Sequence, residues 1–284
     1  MTGSRVFRSD ALGGRVVLVT GGGTGLGLAS ALELARCGAR VFIAGRRQDV
    51  LEKAARQVAD RAQTARLDVV AGDIREPADA ERMVATVVRE HGHLDVLVNN
   101  AGGQYFVPAE AITAKGWRAV WRLNLEGTVN MTNAAVEGAM RAQGSGSVIS
   151  VTFSPHHGLP GMTHSGSARA AVEAWTRAQA RDWLALGITL VAVAAGHFET
   201  EAIAKYPEAV RAGAARSVPM GRLGRPEEHA WLVAMLCSPL GRALNGSVVT
   251  LDGARDNWFG PWPPAELLGG AGRVPTEERR TVSE

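Results

Sequence analysis

Ser165 and Arg169 stand four residues apart in His164-Ser165-Gly166-Ser167-Ala168-Arg169, so on a helix the hydroxyl and the guanidinium share one face. Both donate hydrogen bonds, and neither is an acid at neutral pH: a serine hydroxyl is far too weak, and arginine stays protonated in proteins. Such a pair can polarise and hold a ligand, but it does not deliver a proton from a tuned acid. Groups better suited to that task lie close by in sequence. The only two tyrosines are Tyr105 and Tyr206, and His156, His157 and His164 cluster just ahead of Ser165. Imidazole titrates near neutrality, so these histidines and tyrosines, with Gln104, are candidates to line a substrate pocket.

A second set of residues suits binding rather than reaction. Thr20-Gly21-Gly22-Gly23-Thr24-Gly25-Leu26-Gly27 follows a β-branched run and opens a helical pattern. Glycine permits close backbone approach, and the free amides at a helix start face an anion, the arrangement that holds a dinucleotide's pyrophosphate. Gly21, Thr24, Gly25, Leu26 and Gly27 are the expected contacts. The next strand ends Ala44-Gly45-Arg46-Arg47, without the carboxylate that would bond the ribose hydroxyls of NAD. Gly45 removes a repulsion, and Arg46 and Arg47 supply attraction to a 2′-phosphate, so NADP(H) is the expected cofactor. Gly72-Asp73-Ile74 suits an adenine contact, and Asn99-Asn100-Ala101-Gly102 belongs to the same pocket.

These residues need a scaffold that ends several strands at one edge. Strands are predicted at 16–20, 40–45, 65–72, 96–99, 147–151, 188–194 and 247–251, nearly continuous in hydrophobicity, as in a parallel sheet buried on both faces. Helical periodicity fills 25–37, 49–63, 76–91, 116–140, 161–186 and 226–237, which gives an α/β doubly wound sheet of Rossmann type. The expected organisation is a flexible start over 1–14, one reductase domain over 15–253, and a Pro-, Gly- and Trp-containing tail over 254–284 that docks on the rest. The segment between Glu201 and Val218 is alanine-rich and suits a mobile lid.

Composition excludes several alternatives. The chain has 284 residues, 46% hydrophobic, with 31 basic against 28 acidic residues, enough for one large core. Its basic residues are scattered, so no nucleic-acid partner is expected despite a pI near 9.2. Cys37 and Cys237 read as buried thiols in a reducing compartment, with no disulfide and no metal. No apolar run is long enough to span a bilayer and none resembles a signal sequence, so a cytoplasmic protein with no membrane association is expected.

With Asn124, the Gly196–Thr200 loop, and Gly221-Arg222-Leu223-Gly224-Arg225-Pro226-Glu227-Glu228 through Asp252-Gly253, these motifs resemble the short-chain dehydrogenase/reductase family over nearly the whole chain. The resemblance implies seven strands and a homodimer or homotetramer built on the helices near 116–140 and 161–186, where Trp117, Trp121, Trp175 and Trp183 serve either that contact or the core. It places Gly196 and Thr200 at the cofactor, Asn124 and Thr152 in the catalytic set, Ser165 where the family has its tyrosine, and Arg169 where it has its lysine. The Asn99–Glu110 stretch, Lys115-Gly116-Trp117 and His164–Ala170 are similar to the peroxisomal trans-2-enoyl-CoA reductase and dienoyl-CoA reductase branch. Reducing a conjugated C=C bond sends charge to a thioester oxygen, which needs hydrogen-bond donors more than a dedicated acid. That favours an enoyl reductase acting on a small-molecule acyl thioester. The alternatives are an NADP-dependent dehydrogenase or reductase of a hydrophobic alcohol or aldehyde, and a cofactor-binding protein with little catalysis.

Overall fold

A computed structural model describes residues 3–257 apart from 63, 64, 155, 202, 204–210 and 212. Seven parallel strands form one sheet in the order β3-β2-β1-β4-β5-β6-β7: β1 (Val16–Thr20), β2 (Arg40–Gly45), β3 (Leu67–Ala71), β4 (Val96–Asn99), β5 (Gly146–Phe153), β6 (Ile188–Ala195) and β7 (Val248–Leu251). The order reverses direction between β1 and β4, so the chain leaves a crevice above their carboxyl ends, where α/β sheets bind ligands.

Strand alternation divides the core in two. Val17 and Val19 of β1 face a cluster with Leu34 and Val233, while Val16 and Leu18 face one with Met83, Met131 and Leu190. The first face is covered by α1 (Gly25–Arg36), α2 (Gln48–Arg61) and α6 (Pro226–Cys237), and the second by α3 (Pro77–His91), α4 (114–143) and α5 (Thr163–Asp182). Each fully buried Val or Leu here contributes about 1.5–3 kcal/mol of transfer free energy.

Helix α4 is a continuous rod over 114–143 with two wide π segments, Arg122–Glu126 and Val136–Met140. It starts at Thr113, whose hydroxyl accepts from the Gly116 amide at 3.0 Å and so satisfies one of the helix's open donors. Wide turns of this kind are costly and concentrate at functional sites; the first one carries Asn124.

Observed boundaries depart modestly from expectation. β5 runs to Phe153 because it pairs with β6 along its whole length, ending Phe153 opposite Ala195. Helix α5 stops at Asp182, and the remaining expected turn becomes a tighter 3₁₀ segment, Leu184–Leu186, closed by Gly187 at φ 71°. Near the amino terminus, Leu12 is buried with its amide on the Cys37 carbonyl at 2.8 Å, and Ser4 donates to Glu33. Cys37 and Cys237 are free and buried. Trp175 and Trp183 meet edge to face at 6.1 Å against the core, whereas Trp117 stays exposed. Among the described residues, no helix is long and apolar enough to cross a membrane. The tail beyond 257 and most of the expected lid, including Tyr206, lie outside the described residues.

Candidate active site

A cavity of about 850 Å³ opens above the carboxyl ends of the strands. It gathers Gly21, Thr24, Gly25 and Leu26 from the first turn, Arg46 and Arg47 after β2, Asp73 and Ile74 after β3, and Asn100, Ala101 and Gly102 after β4. Gln104, Tyr105, Thr152, Arg169, Gly196 and Thr200 complete the expected residues on its walls.

The glycine turn is shaped for an anion. Gly21 and Gly25 take φ of 66° and 55°, and a Cβ on Gly21 would lie 2.9 Å from Ala101 Cα. Gly27 does not line the cavity. It lets α1 close on the loop, since a Cβ there would sit 2.4 Å from both Asn100 Nδ2 and the Gly21 carbonyl. Thr24 precedes α1 without a side-chain cap bond, and the first turn holds no acidic residue. Its open amides and the positive end of the helix dipole are therefore left for a ligand.

Thr20 ties β1 to β4 across this edge: its Oγ1 accepts from the Asn100 and Ala101 amides, each at 3.0 Å, while Asn100 Nδ2 returns a bond to the Thr20 carbonyl at 3.0 Å. After β3 the Asp73 carboxylate is bound by Arg75, which holds it below the usual carboxylate range against the opposing cost of burial. The exposed Arg46 adds positive charge beside it. Glycine-formed cradle, open helix start and paired arginines together fit a phosphorylated dinucleotide.

On α5, Arg169 lies 8% exposed, and its Nη1 donates to the Val151 carbonyl. The guanidinium fills the space above Gly102, where a Cβ would lie 2.0 Å from Nη2. Asn124 is fully buried behind this floor rather than in the cavity. Its Oδ1 accepts from the Gly103 amide at 3.1 Å, and Nδ2 donates to the Gly103 and Val120 carbonyls at 2.8 and 2.9 Å. Asn124 thus positions the Gly102–Gly103 turn and reaches any ligand only through it.

The remaining candidates are placed differently from expectation. Ser165 is buried, and its hydroxyl donates to Gln104 Oε1 at 3.2 Å, so Gln104 faces the cavity in its stead. His164 is buried behind Tyr105, with the rings edge to face at 4.6 Å and both ring nitrogens without partners. Burial lowers its pKa below the ordinary histidine value. His156 and His157 face a second cavity of about 500 Å³, drawn there by Asp256, which bonds His156 through its carboxylate and His157 through its carbonyl.

Glu173 and Asp256 went unnoticed in the sequence. Thr152 Oγ1 donates to Glu173 Oε1 at 2.7 Å, and Glu173 is only 3% exposed. The spacing Ser165, Arg169, Glu173 continues the same helical face by fours and was available as a signal. Asp256 sits 100 positions from His156, and no local pattern announces the pairing. Among the described residues no group of side chains is arranged to hold a metal ion.

These features define a nicotinamide-dependent type of oxidoreductase fold. The family profile described as enoyl-(acyl carrier protein) reductase matches residues 21–254. The chain belongs to this family, within the short-chain dehydrogenases/reductases, and is an enzyme of that type. It is 35% identical over 255 residues to a probable 2,4-dienoyl-CoA reductase of Bacillus subtilis, covering 88% of this chain and 98% of that protein. It is 30% identical to a peroxisomal 2,4-dienoyl-CoA reductase of Arabidopsis thaliana, covering 87% of this chain and 86% of the other. Among solved structures, a citronellol catabolism dehydrogenase of Pseudomonas aeruginosa superposes with a TM-score of 0.79 at 34% identity, covering 88% of this chain and 98% of that one.

Proposed function

We propose that the chain uses NADPH to reduce the C=C bond of an α,β-unsaturated acyl thioester. The observation that carries this reading is the reaction centre itself: Arg169 and Thr152 line the cavity beside the glycine floor, while Ser165 brings no ionisable phenol and is turned to Gln104. The dienoyl-CoA reductases among its relatives support the same substrate class.

The bound cofactor would supply a hydride to the β carbon. The chain's own residues then have three tasks. The Gly21–Gly27 turn and the α1 start hold the pyrophosphate, and Arg46 and Arg47 select the 2′-phosphate. Arg169, anchored on Val151, holds ribose hydroxyls, and Asn124 fixes the Gly102–Gly103 floor. The thioester oxygen, where negative charge gathers, is received by polar groups on the cavity wall, which lowers the barrier without a phenol as the acid. Phe106, Leu159 and Met162 offer an apolar wall to the acyl chain.

The test is NADPH consumption with a panel of 2-enoyl- and 2,4-dienoyl-CoA esters of graded length. Inertness toward all of them sinks the reading. A second reading, oxidation or reduction of a hydrophobic alcohol or aldehyde, is favoured by the likeness to the citronellol catabolism dehydrogenase. NADP-linked turnover of terpenoid alcohols in the same assay, without enoyl reduction, selects it. The reading includes a cytoplasmic homodimer or homotetramer assembled through α4 and α5, where Trp117 is exposed; sedimentation of the purified chain checks the assembly.

A further inference from the structure

A file of hydrogen-bonded side chains joins the two cavities. Thr152 lines the large cavity, and its hydroxyl donates to Glu173 Oε1 at 2.7 Å. His156 Nε2 lies 3.1 Å from that same oxygen, and His156 Nδ1 is bonded to the Asp256 carboxylate. His156 and Glu173 line the second cavity, and the His156 side chain is 31% exposed while that of Glu173 is 5% exposed. A carboxylate so deep is costly unless it is paired, and nothing in holding a dinucleotide employs it.

The geometry points to a proton relay, from His156 through Glu173 to Thr152, that carries a solvent proton from the second cavity to the ligand held in the first. This rests on the reductase reading, because reduction by hydride leaves the ligand one proton short. At rest Thr152 spends its single proton on Glu173, so it offers the large cavity only lone pairs. When the His156 imidazolium passes its Nε2 proton to Glu173, the resulting acid donates to Thr152 Oγ1. The original Thr152 proton then leaves for the thioester oxygen, and the enol so formed becomes the saturated thioester as its O–H breaks and a C–H forms at the α carbon. The His156 N–H bond breaks as a Glu173 O–H forms. That O–H breaks as a new Thr152 O–H replaces the one lost. His156 finally regains a proton from water in the second cavity. One proton crosses, and the only electron pair is the one that arrives with the hydride.

The charges around His156 suit its place at the head of the relay. Burial alone would lower its proton affinity, but the bond to Asp256 and the charges of Glu173 and Asp256 outweigh that and raise its pKa above the ordinary histidine value. Asp256 is itself partly buried, which would raise its pKa, yet the His156 bond keeps it below the usual carboxylate range. Four other groups face this cluster: His157, 3.8 Å from Asp256 Oδ1; Asp252, which accepts from the Asp256 amide at 2.7 Å; Ser154, bonded to Asp252; and Arg169, one turn before Glu173 on α5.

The test has one arm in the cofactor-free full chain and one in turnover. By NMR, His156 should titrate above an ordinary histidine, and Glu173→Gln should lower its midpoint by about one unit. In turnover, activity should fall as pH rises through that midpoint, since the protonated imidazole feeds the relay. Glu173→Gln should cut kcat about a hundredfold, leave KM for NADPH unchanged and flatten the alkaline limb, with Glu173→Asp restoring part of both. Asp256→Asn, if Glu173→Gln is poorly folded, should likewise lower the His156 midpoint. An ordinary His156 titration that neither variant moves overturns the relay, as does a Glu173→Gln enzyme that keeps its alkaline limb. A responsive His156 titration in a protein inert toward every enoyl thioester supports the coupling and instead sinks the substrate reading.

Discussion

Arg169 occupies the volume that a side chain on Gly102 would need: a Cβ at residue 102 would lie 2.0 Å from Arg169 Nη2 and 2.7 Å from Asn124 Oδ1. The guanidinium cannot simply swing clear, because its Nη1 is committed to the Val151 carbonyl. Gly102→Ala is therefore expected to displace the Arg169 guanidinium by about 1 Å. Its kcat/KM should fall about a hundredfold, with a Tm change of only a few degrees. Steady-state kinetics beside a thermal melt checks this, and undiminished activity would show that the guanidinium has no role at the reaction centre.

Cofactor choice rests on the end of β2. Arg46→Ala and Arg47→Ala should each raise KM for NADPH about tenfold, the worth of a charge-assisted phosphate bond, and leave KM for NADH nearly unchanged. Gly45 has room for more: a Cβ there makes only ordinary contact with Leu51 Cδ2 at 3.5 Å. Gly45→Asp should thus fold normally and move the preference toward NADH by supplying the missing carboxylate. Comparing kcat/KM for the two cofactors settles both points, and a wild-type enzyme favouring NADH would refute the assignment.

Asn124 and Ser165 should separate cleanly in a mutational comparison. Asn124→Ala strips three hydrogen bonds from the Gly103 and Val120 backbone. It should cost roughly 2–4 kcal/mol, seen as a Tm drop of about 5–10 °C together with a large loss of turnover. Ser165→Ala removes one bond to Gln104 and should change kcat/KM less than about tenfold. An inactive Ser165→Ala enzyme that still binds NADPH would mean the serine takes part in the proton chemistry.

Acid stability should be governed by buried neutral imidazoles. Complete burial lowers the His229 pKa to about 4, with the ring held between Ser30 at 3.2 Å and Phe198. His197 is also lowered to about 4, by burial and then by the Arg255 charge. A lowered folded-state pKa means the unfolded chain takes up protons first as pH falls. The stability from these residues is thus complete above the unfolded value near 6.5 and is lost as pH drops toward 4. For His229 alone the loss approaches about 3 kcal/mol. Denaturant midpoints measured from pH 7 to pH 4 should fall steeply, and His229→Gln should flatten the slope even though it is less stable at pH 7. A parallel slope would remove His229 from the explanation.

Much of this was legible because it is local. β1, β2 and β4 stand where their β-branched runs predict them, and the turn from Gly21 to Gly27 follows β1 and opens α1, the placement from which a phosphate-binding turn was expected. Arg169 lines the cavity from α5, and Thr152 lines it from β5, where the family resemblance had put them. What could not be read is long-range or conformational. His164 looked like a pocket group, but the Tyr105 ring covers it. His156 and His157 were pulled to another cavity by Asp256, a partner 100 and 99 positions away. The wide turn at Arg122–Glu126, which turns Asn124 toward Gly103, has no recognisable signature in its residues. Glu173 was within reach of periodicity, yet a lone glutamate on a helix reads as solvated until the fold buries it.

The bond between Ser30 and His229 spans 199 positions, clamping the first helix after the glycine turn to the last helix of the domain. The cavity draws its walls from Gly21 through Ile203, so no early portion of the polypeptide owns a usable nucleotide pocket. On the ribosome, affinity for the dinucleotide should emerge late and abruptly, once α6 has cleared the exit tunnel and locked onto α1.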